Sequence, residues 1–231
     1  LVVSNSVAGK RHVIERGMPS ERVEVIPNGR ELETYRDADV ADIRASLGLA
    51  EDARLVGTVG RLIERKGHDD LLEAWPRVRS QHPDVHLVLV GDGPRRKQLE
   101  SRAVALGVAD SVHFLGMRED VPSILAAFDA FAFPSHFEGL PGAVIEAMAA
   151  GLPIVATPVD GNRELVEDGE TGMFVPVKDS AELARALGRV LEDTALASRL
   201  GQNARRDAFE RYTLDQMIEA FERLYESVDA G

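Results

Sequence analysis

Residues 85–107 read Val-His-Leu-Val-Leu-Val-Gly-Asp-Gly-Pro-Arg-Arg-Lys-Gln-Leu-Glu-Ser-Arg-Ala-Val-Ala-Leu-Gly. The run Val85–Val90 has almost no polar alternation, as in a parallel strand covered on both faces. Gly91-Asp92-Gly93 then breaks it. Pro94 suits a first helical turn, Arg95–Leu106 has helical spacing, and Gly107 suits a helix end. The same alternation continues in both directions. Short apolar runs lie at Val23–Ile26, Leu55–Val59, Val112–Leu115, Ala130–Phe133, Ile154–Ala156 and Met173–Val175. Helical patterns fill the gaps at Asp69–Gln81, Val121–Ala127, Ala143–Ala149, Ala181–Leu191 and Leu196–Tyr212. Alternating strands and helices predict an α/β fold with a Rossmann-like, doubly wound parallel sheet.

The ends depart from this rhythm. Val7–Arg16 reads as a lone helix and Val23–Asn28 as a strand entering a turn. Residues 29–53 are polar and acidic, as in a linker with a first helix. Leu214, Met217, Ile218, Phe221, Leu224 and Tyr225 place a helix over Leu214–Val228, after the last repeat. The strand-like start at Leu1 reads as a cut within a longer protein.

The 231 residues suffice for a core without staples, and their net charge is −12. That balance argues against a general binder of nucleic acid or anionic membranes. With no cysteine, disulfides, thiolate zinc sites and thiol nucleophiles are excluded. The absence of cysteine and of glycosylation sequons fits a cytoplasmic protein. No apolar run approaches the roughly 20 residues of a membrane-spanning helix.

In an open parallel sheet, ligands bind beyond the carboxyl ends of the strands. Those ends carry Gly60-Arg61 and Glu64-Arg65-Lys66-Gly67, then Gly91 to Lys97, then Pro134 to Gly142, then Thr157-Pro158. Glycine and positive charge gather there inside an acidic protein, a combination suited to a phosphorylated ligand. Singly, Arg61 and Lys66 read as solvated charges, and Arg95, Arg96 and Lys97 are evenly balanced between surface and site. Gly91-x-Gly93 lacks the third glycine of a dinucleotide fingerprint, and no Gly-Lys-Ser/Thr phosphate loop is present. Glu138 lies in a glycine- and proline-rich loop. Glu146 follows in a helix whose other residues are apolar, so its carboxylate needs a partner or ligand. His68 reads as a helix start and His136 as loop lining. The histidines show no metal-ligand spacing, and Ser135 has no nucleophile elbow.

Val59-Gly60-Arg61-Leu62, Lys66-Gly67, Glu138-Gly139-Leu140-Pro141, Glu146-Ala147-Met148 and Gly151-Leu152-Pro153-Ile154-Val155-Ala156-Thr157, in that order, resemble the donor-binding half of retaining glycosyltransferase family 4. Val25-Ile26-Pro27-Asn28-Gly29, Glu164-Leu165-Val166 and Asp168-Gly169-Glu170-Thr171-Gly172 fit the same pattern. The resemblance implies one half of a GT-B fold and transfer of a hexose from a nucleoside-diphosphate sugar to a hydroxyl acceptor, in carbohydrate biosynthesis. It implies Arg61 and Lys66 on the donor diphosphate, Glu138 on the transferred sugar and Glu146 on the ribose. Gly60 and the stretch Gly139, Leu140, Pro141 and Gly142 would approach the donor, and Met117 would lie near the base. The resemblance likewise implies catalytic roles for Arg61, Lys66 and Glu138, with no cofactor and no metal. Asp160-Gly161 replaces a common Gly-Gly pair, and Gly142 stands where the family varies.

The implied organisation is a tail of an N-terminal domain and interdomain strand at 1–28, and a linker and first helix at 29–53. A nucleotide-sugar-binding domain follows at 54–212, then a helix at 213–231 crossing back toward the missing acceptor domain. Any membrane contact would be made through that domain, and the fragment alone would transfer no sugar. Rival readings are a non-catalytic nucleotide-binding module or degenerate homologue, a hydrolase or phosphorylase using both glutamates, and a purely structural α/β domain.

Overall fold

The computed structural model describes residues 1–36, 38–40 and 42–229. Parts of the expected linker (residues 37 and 41) and of the final segment (230 and 231) lie outside them. The chain opens with β1 (Val2–Ser4), α1 (Val7–Glu15) and β2 (Val23–Val25), followed by the short helices α2 (Glu33–Arg36) and α3 (Ile43–Ser46). The alternating body comprises β3 (Arg54–Val59), α4 (His68–Gln81), β4 (Val85–Val90), α5 (Arg96–Ala105), β5 (Val112–Gly116), α6 (Val121–Ala126) and β6 (Ala130–Phe133). It continues through α7 (Gly142–Ala149), β7 (Ile154–Ala156), α8 (Asp160–Leu165), β8 (Met173–Phe174), α9 (Ser180–Glu192), α10 (Thr194–Arg211) and α11 (Leu214–Asp229).

β3 to β8 form one six-stranded sheet in the order β5-β4-β3-β6-β7-β8, with every pairing parallel. The doubly wound sheet expected from the sequence is present. Neighbouring residues along a strand alternate between two apolar layers. Val56, Leu87, Leu89, Ala130 and Ala132 face α4 and α9, where Leu72, Trp75, Leu183 and Leu187 pack. Leu55, Val88, Val90, Phe131 and Phe133 face α6, α7 and α10, with Ile124, Val144, Met148 and Ala208. Burial on both faces explains the unalternating strand sequences. Asp193 separates α9 from α10: its Oδ1 accepts the Leu196 N–H at 2.9 Å, an N-cap that restarts the helix.

The run at Val23–Val25 is a strand, but it pairs with β1 in a separate two-stranded parallel sheet. This small unit is tied to the main body by α1. The Val7 and Ala8 N–H groups donate to the Glu164 carboxylate at 2.8 and 2.9 Å, and Arg11 lies 3.3 Å from Asp160. An anion at a helix N-terminus satisfies amides that lack intrahelical partners. The polar stretch after β2 also contributes to the interior, since Leu32 and Ile43 are buried in the second layer. Arg30 meets the start of α11: its N–H donates to the Tyr212 carbonyl and its carbonyl accepts from Leu214, each at 2.9 Å. No described helix is long and apolar enough to cross a membrane.

Candidate functional site

The sheet order reverses at β3. From there the chain proceeds outward to β4 and β5, then returns to lay β6, β7 and β8 on the other side. Crevices of this kind open at the carboxyl ends of the two strands flanking the reversal, here β3 and β6. The loops leaving them carry Gly60 to Gly67 and Pro134 to Gly142.

Leaving β3, the Gly60 N–H donates to the Val90 carbonyl at 2.9 Å. Arg61 is exposed and has no ion pair among the described residues. The chain then makes a 3-10 turn over Glu64–Lys66 that ends on Gly67, at φ 69°. A Cβ on Gly67 would collide with the Pro134 carbonyl. Glycine is thus needed for both its conformation and its lack of bulk. This close approach brings Lys66 across to the β6 loop. Its Nζ lies 2.7 Å from Glu138 Oε1, with side-chain exposures of 15% and 7%. The ammonium also sits 4.8 Å from the centre of the Phe133 ring. Two charges this buried are tenable only because they meet each other.

The scaffold around the pair is fixed by further bonds. His136 donates its N–H to the Arg65 carbonyl at 2.7 Å, and its Nε2 lies 2.5 Å from Asp70 Oδ2. The Gly161 N–H donates to the Glu138 carbonyl at 3.3 Å. His68, the first residue of α4, is 3% exposed. Burial pushes its imidazole down to about 4, with the Lys66 charge adding to the effect and a bond to the Ile63 backbone opposing it. A cleft of about 370 Å³ lies between α1 and the Glu138 loop, lined by Asn5, Gly9, His12, Phe137, Glu138 and Asp160 among others.

Glu146 is held separately, on α7. Its Oε1 lies 3.4 Å from Arg30 Nη1, and its side chain is 13% exposed. Burial pushes its carboxyl up, while the Arg30 charge and a Tyr35 hydrogen bond oppose this. Tyr35 itself is pushed up to about 12, first by burial and then by Glu146. The partner that a glutamate in an apolar helix requires is therefore supplied by the chain. Arg30 and Tyr35 lacked any local signal, because they reach Glu146 from the linker more than a hundred residues away.

The remaining expected residues are spread along the same edge. Gly139 is exposed and Pro141 buried, with Leu140 partly buried against the second layer and Gly142 opening α7. Met117, beyond β5, is 83% exposed. Arg95 is taken up by Asp69, with Nη2 at 2.9 Å from both carboxylate oxygens. Arg96 is bound by Glu100 at 2.9 Å and by the Phe114 carbonyl at 3.2 Å. Only Lys97 of that basic run stays exposed without an ion pair among the described residues. Those two arginines brace the fold, while Arg61, Arg65 and Lys66 lie on the loop leaving β3. No group of three or more His, Asp or Glu among the described residues is placed to hold a metal ion.

Comparison with known proteins agrees with this architecture. A family described as Glycosyl transferases group 1 matches residues 39–207, and the chain belongs to that family. It is 35% identical over 188 residues to the lipopolysaccharide core biosynthesis glycosyltransferase LpsE of Rhizobium meliloti, covering 81% of this chain and 54% of that protein. It is 32% identical over 217 residues to alpha-D-kanosaminyltransferase of Streptomyces kanamyceticus, covering 91% and 56%. The chain thus spans about half the length of the curated relatives it matches. Among solved structures, Anabaena HepE in complex with UDP and glucose superposes with a TM-score of 0.90 at 32% identity, covering 98% of this chain and 63% of that one. HepE has also been solved with UDP-glucose. The fold is one half of the GT-B architecture.

Proposed function

We propose that this chain is the donor-binding half of a retaining glycosyltransferase of family 4, whose whole protein moves a hexose from a nucleoside-diphosphate sugar to a hydroxyl acceptor. The observation that carries the reading is the buried Lys66–Glu138 pair at the sheet reversal, with Arg61, which has no ion pair among the described residues, on the same loop as Lys66. The UDP and UDP-glucose bound to HepE support a nucleotide-sugar ligand.

In this reading Arg61 and Lys66 hold the donor diphosphate. When the bond from the sugar's anomeric carbon to phosphate oxygen breaks, negative charge grows on the leaving group. Preorganised cations stabilise that charge at no cost in reorganisation, and no metal is required. The acceptor hydroxyl forms the new bond on the same face and passes its proton to the departing phosphate. Glu138 accepts hydrogen bonds from hydroxyls of the transferred sugar, and Glu146 from those of the ribose. The amides from Gly139 to Gly142 approach phosphate and sugar at the start of α7, Gly60 lets the diphosphate come close, and Met117 borders the base. Residues 1–28 belong with the acceptor domain, 54–212 form the donor domain, and 213–231 cross back. The whole enzyme works in the cytoplasm, and any contact with a membrane surface is made by the acceptor domain.

Calorimetric titration with UDP, GDP and ADP tests the donor site. Binding of one nucleotide, lost in Arg61→Ala and in Glu146→Ala, is the expected result. A chain that binds none of the three, or binds equally well in both variants, refutes the assignment. Sugar transfer by this chain alone would refute the placement of the acceptor site outside it.

A further inference from the structure

Arg30 has an unusual position. Its backbone is held on both sides, at the Tyr212 carbonyl and the Leu214 N–H, so the side chain starts from a fixed point. From there the guanidinium runs along one face of α7. It lies against Gly142, where a Cβ would collide with it, and reaches Glu146 one turn further on, at 3.4 Å. Residues four apart share a helix face, so Gly142 and Glu146 form the bed on which Arg30 rests. Arg30 is 44% exposed while Glu146 is 13% exposed. The cation therefore covers the carboxylate and keeps an open side of its own. A side chain at position 142 would displace the guanidinium from this contact.

We propose that Arg30 is a donor-contacting residue: it holds Glu146 and, with donor bound, its open face takes the phosphate adjoining the ribose, Gly142 leaving room for it. The proposal rests on the reading above that places ribose at Glu146 and the diphosphate at the first turn of α7. A ligand spanning those two points passes over the guanidinium. Arginine offers a planar fork of donors, so it can keep a carboxylate on one edge while accepting a phosphate on another. Three cations would then divide the donor: Arg30 the inner phosphate, Arg61 and Lys66 the outer one.

The test compares nucleoside, nucleoside monophosphate and nucleoside diphosphate of the base that the chain prefers, by competition calorimetry. Arg30→Met keeps the aliphatic stem and removes the charge. It is expected to lower the preference for monophosphate over nucleoside by about tenfold, the scale of one charge-assisted bond, and to leave the preference for diphosphate over monophosphate unchanged. Arg61→Ala is expected to do the reverse. Gly142→Ala, which pushes the guanidinium off its bed, should act like Arg30→Met, and it serves if the latter fails to fold. Equal weakening of all three ligands in both variants would show a mere brace for Glu146 and overturn the proposal, as would tighter binding in Arg30→Met. If the unaltered chain binds none of the ligands, the donor-site reading itself fails and the proposal with it. Binding lost in Glu146→Ala with ratios intact in Arg30→Met leaves that reading standing and removes only the role of Arg30.

Discussion

Lowering the pH from 7 to 5 should destabilise this protein through His68, a residue that no proposed step uses. The imidazole is 3% exposed, and its Nδ1 has no hydrogen-bond partner among the described residues. Its value falls from 6.5 in the unfolded chain to about 4 in the folded one. The folded state therefore prefers the neutral ring, and the unfolded state binds the extra proton. Stability from this source is complete above 6.5 and is lost as the pH falls toward 4. The whole interval corresponds to about 3 kcal/mol, and the part between pH 7 and 5 to about 2 kcal/mol. Urea unfolding at the two pH values, on the unaltered chain and on His68→Phe, isolates the contribution. Phenylalanine carries a constant packing change that cancels between the two conditions. His86 and His113, whose rings are also pushed down by burial, titrate in both proteins and cancel as well. The unaltered chain should lose about 2 kcal/mol more than the variant. Equal losses would mean that the imidazole already holds its proton in the fold, or that acid relieves its burial by moving the start of α4.

The other expectations concern residues around the crevice. Lys66→Ala leaves the Glu138 carboxylate without its ion pair and should cost about 3–5 kcal/mol in urea unfolding, whereas Lys66→Met with Glu138→Leu together should restore most of that stability while abolishing nucleotide binding. A cost below about 1 kcal/mol for the single change would show that the carboxylate readily finds water. Gly67→Ala should destabilise by more than about 1 kcal/mol, since it must hold a positive φ against the Pro134 carbonyl; an unchanged melting temperature would contradict the close approach. Glu164→Ala removes the acceptor of the first two amides of α1 and leaves the Ser6 cap on Gly9 in place. The Val7 and Ala8 amides should then exchange with deuterium about fivefold faster, the equivalent of about 1 kcal/mol, and unaltered exchange would show that Glu164 is not their partner in solution.

The sheet was legible in the sequence because burial on both faces leaves uniform apolar runs such as Val85–Val90 and Ala130–Phe133. Strand order was not. Nothing in Val23–Val25 tells it to pair with Val2–Ser4 rather than with the main sheet, because pairing partners are chosen by tertiary packing. The same limit applied to the charges. Arg61, Arg95 and Arg96 look alike in sequence, yet of the three only Arg61 has no ion pair among the described residues, since the acids that take the other two come from α4 and α5. The need of Glu146 for a partner could be read from its apolar neighbours. The identity of that partner could not, since Arg30 meets it only through the crossing of the linker with the start of α11.

These placements show how a chain of net charge −12 could present the proposed anion site. Its arginines are largely consumed by its own acids, as at Asp69, Asp84, Glu100 and Asp120. Such pairs contribute little to stability when exposed, but they neutralise each other and leave no strong local field. The three cations assigned to the donor differ in how far they escape that cancellation. Arg61 has no ion pair among the described residues, Lys66 is held rigid by a buried partner that offsets much of its charge, and Arg30 shares its carboxylate while keeping an open edge. A rigid ammonium under a ring is worth more to a developing negative charge than a free surface lysine, because it neither reorients nor sheds much water when the charge appears. On this view the Lys66–Glu138 pair matters less as a source of stability than as a means of aiming one cation. The discriminating comparison is Glu138→Gln, which keeps the side chain's shape and an acceptor oxygen for Lys66. If aiming is the role, nucleotide diphosphate binding should change by less than about threefold, about 0.7 kcal/mol. A larger loss would mean that the carboxylate charge itself, through the sugar or through Lys66, is part of donor recognition.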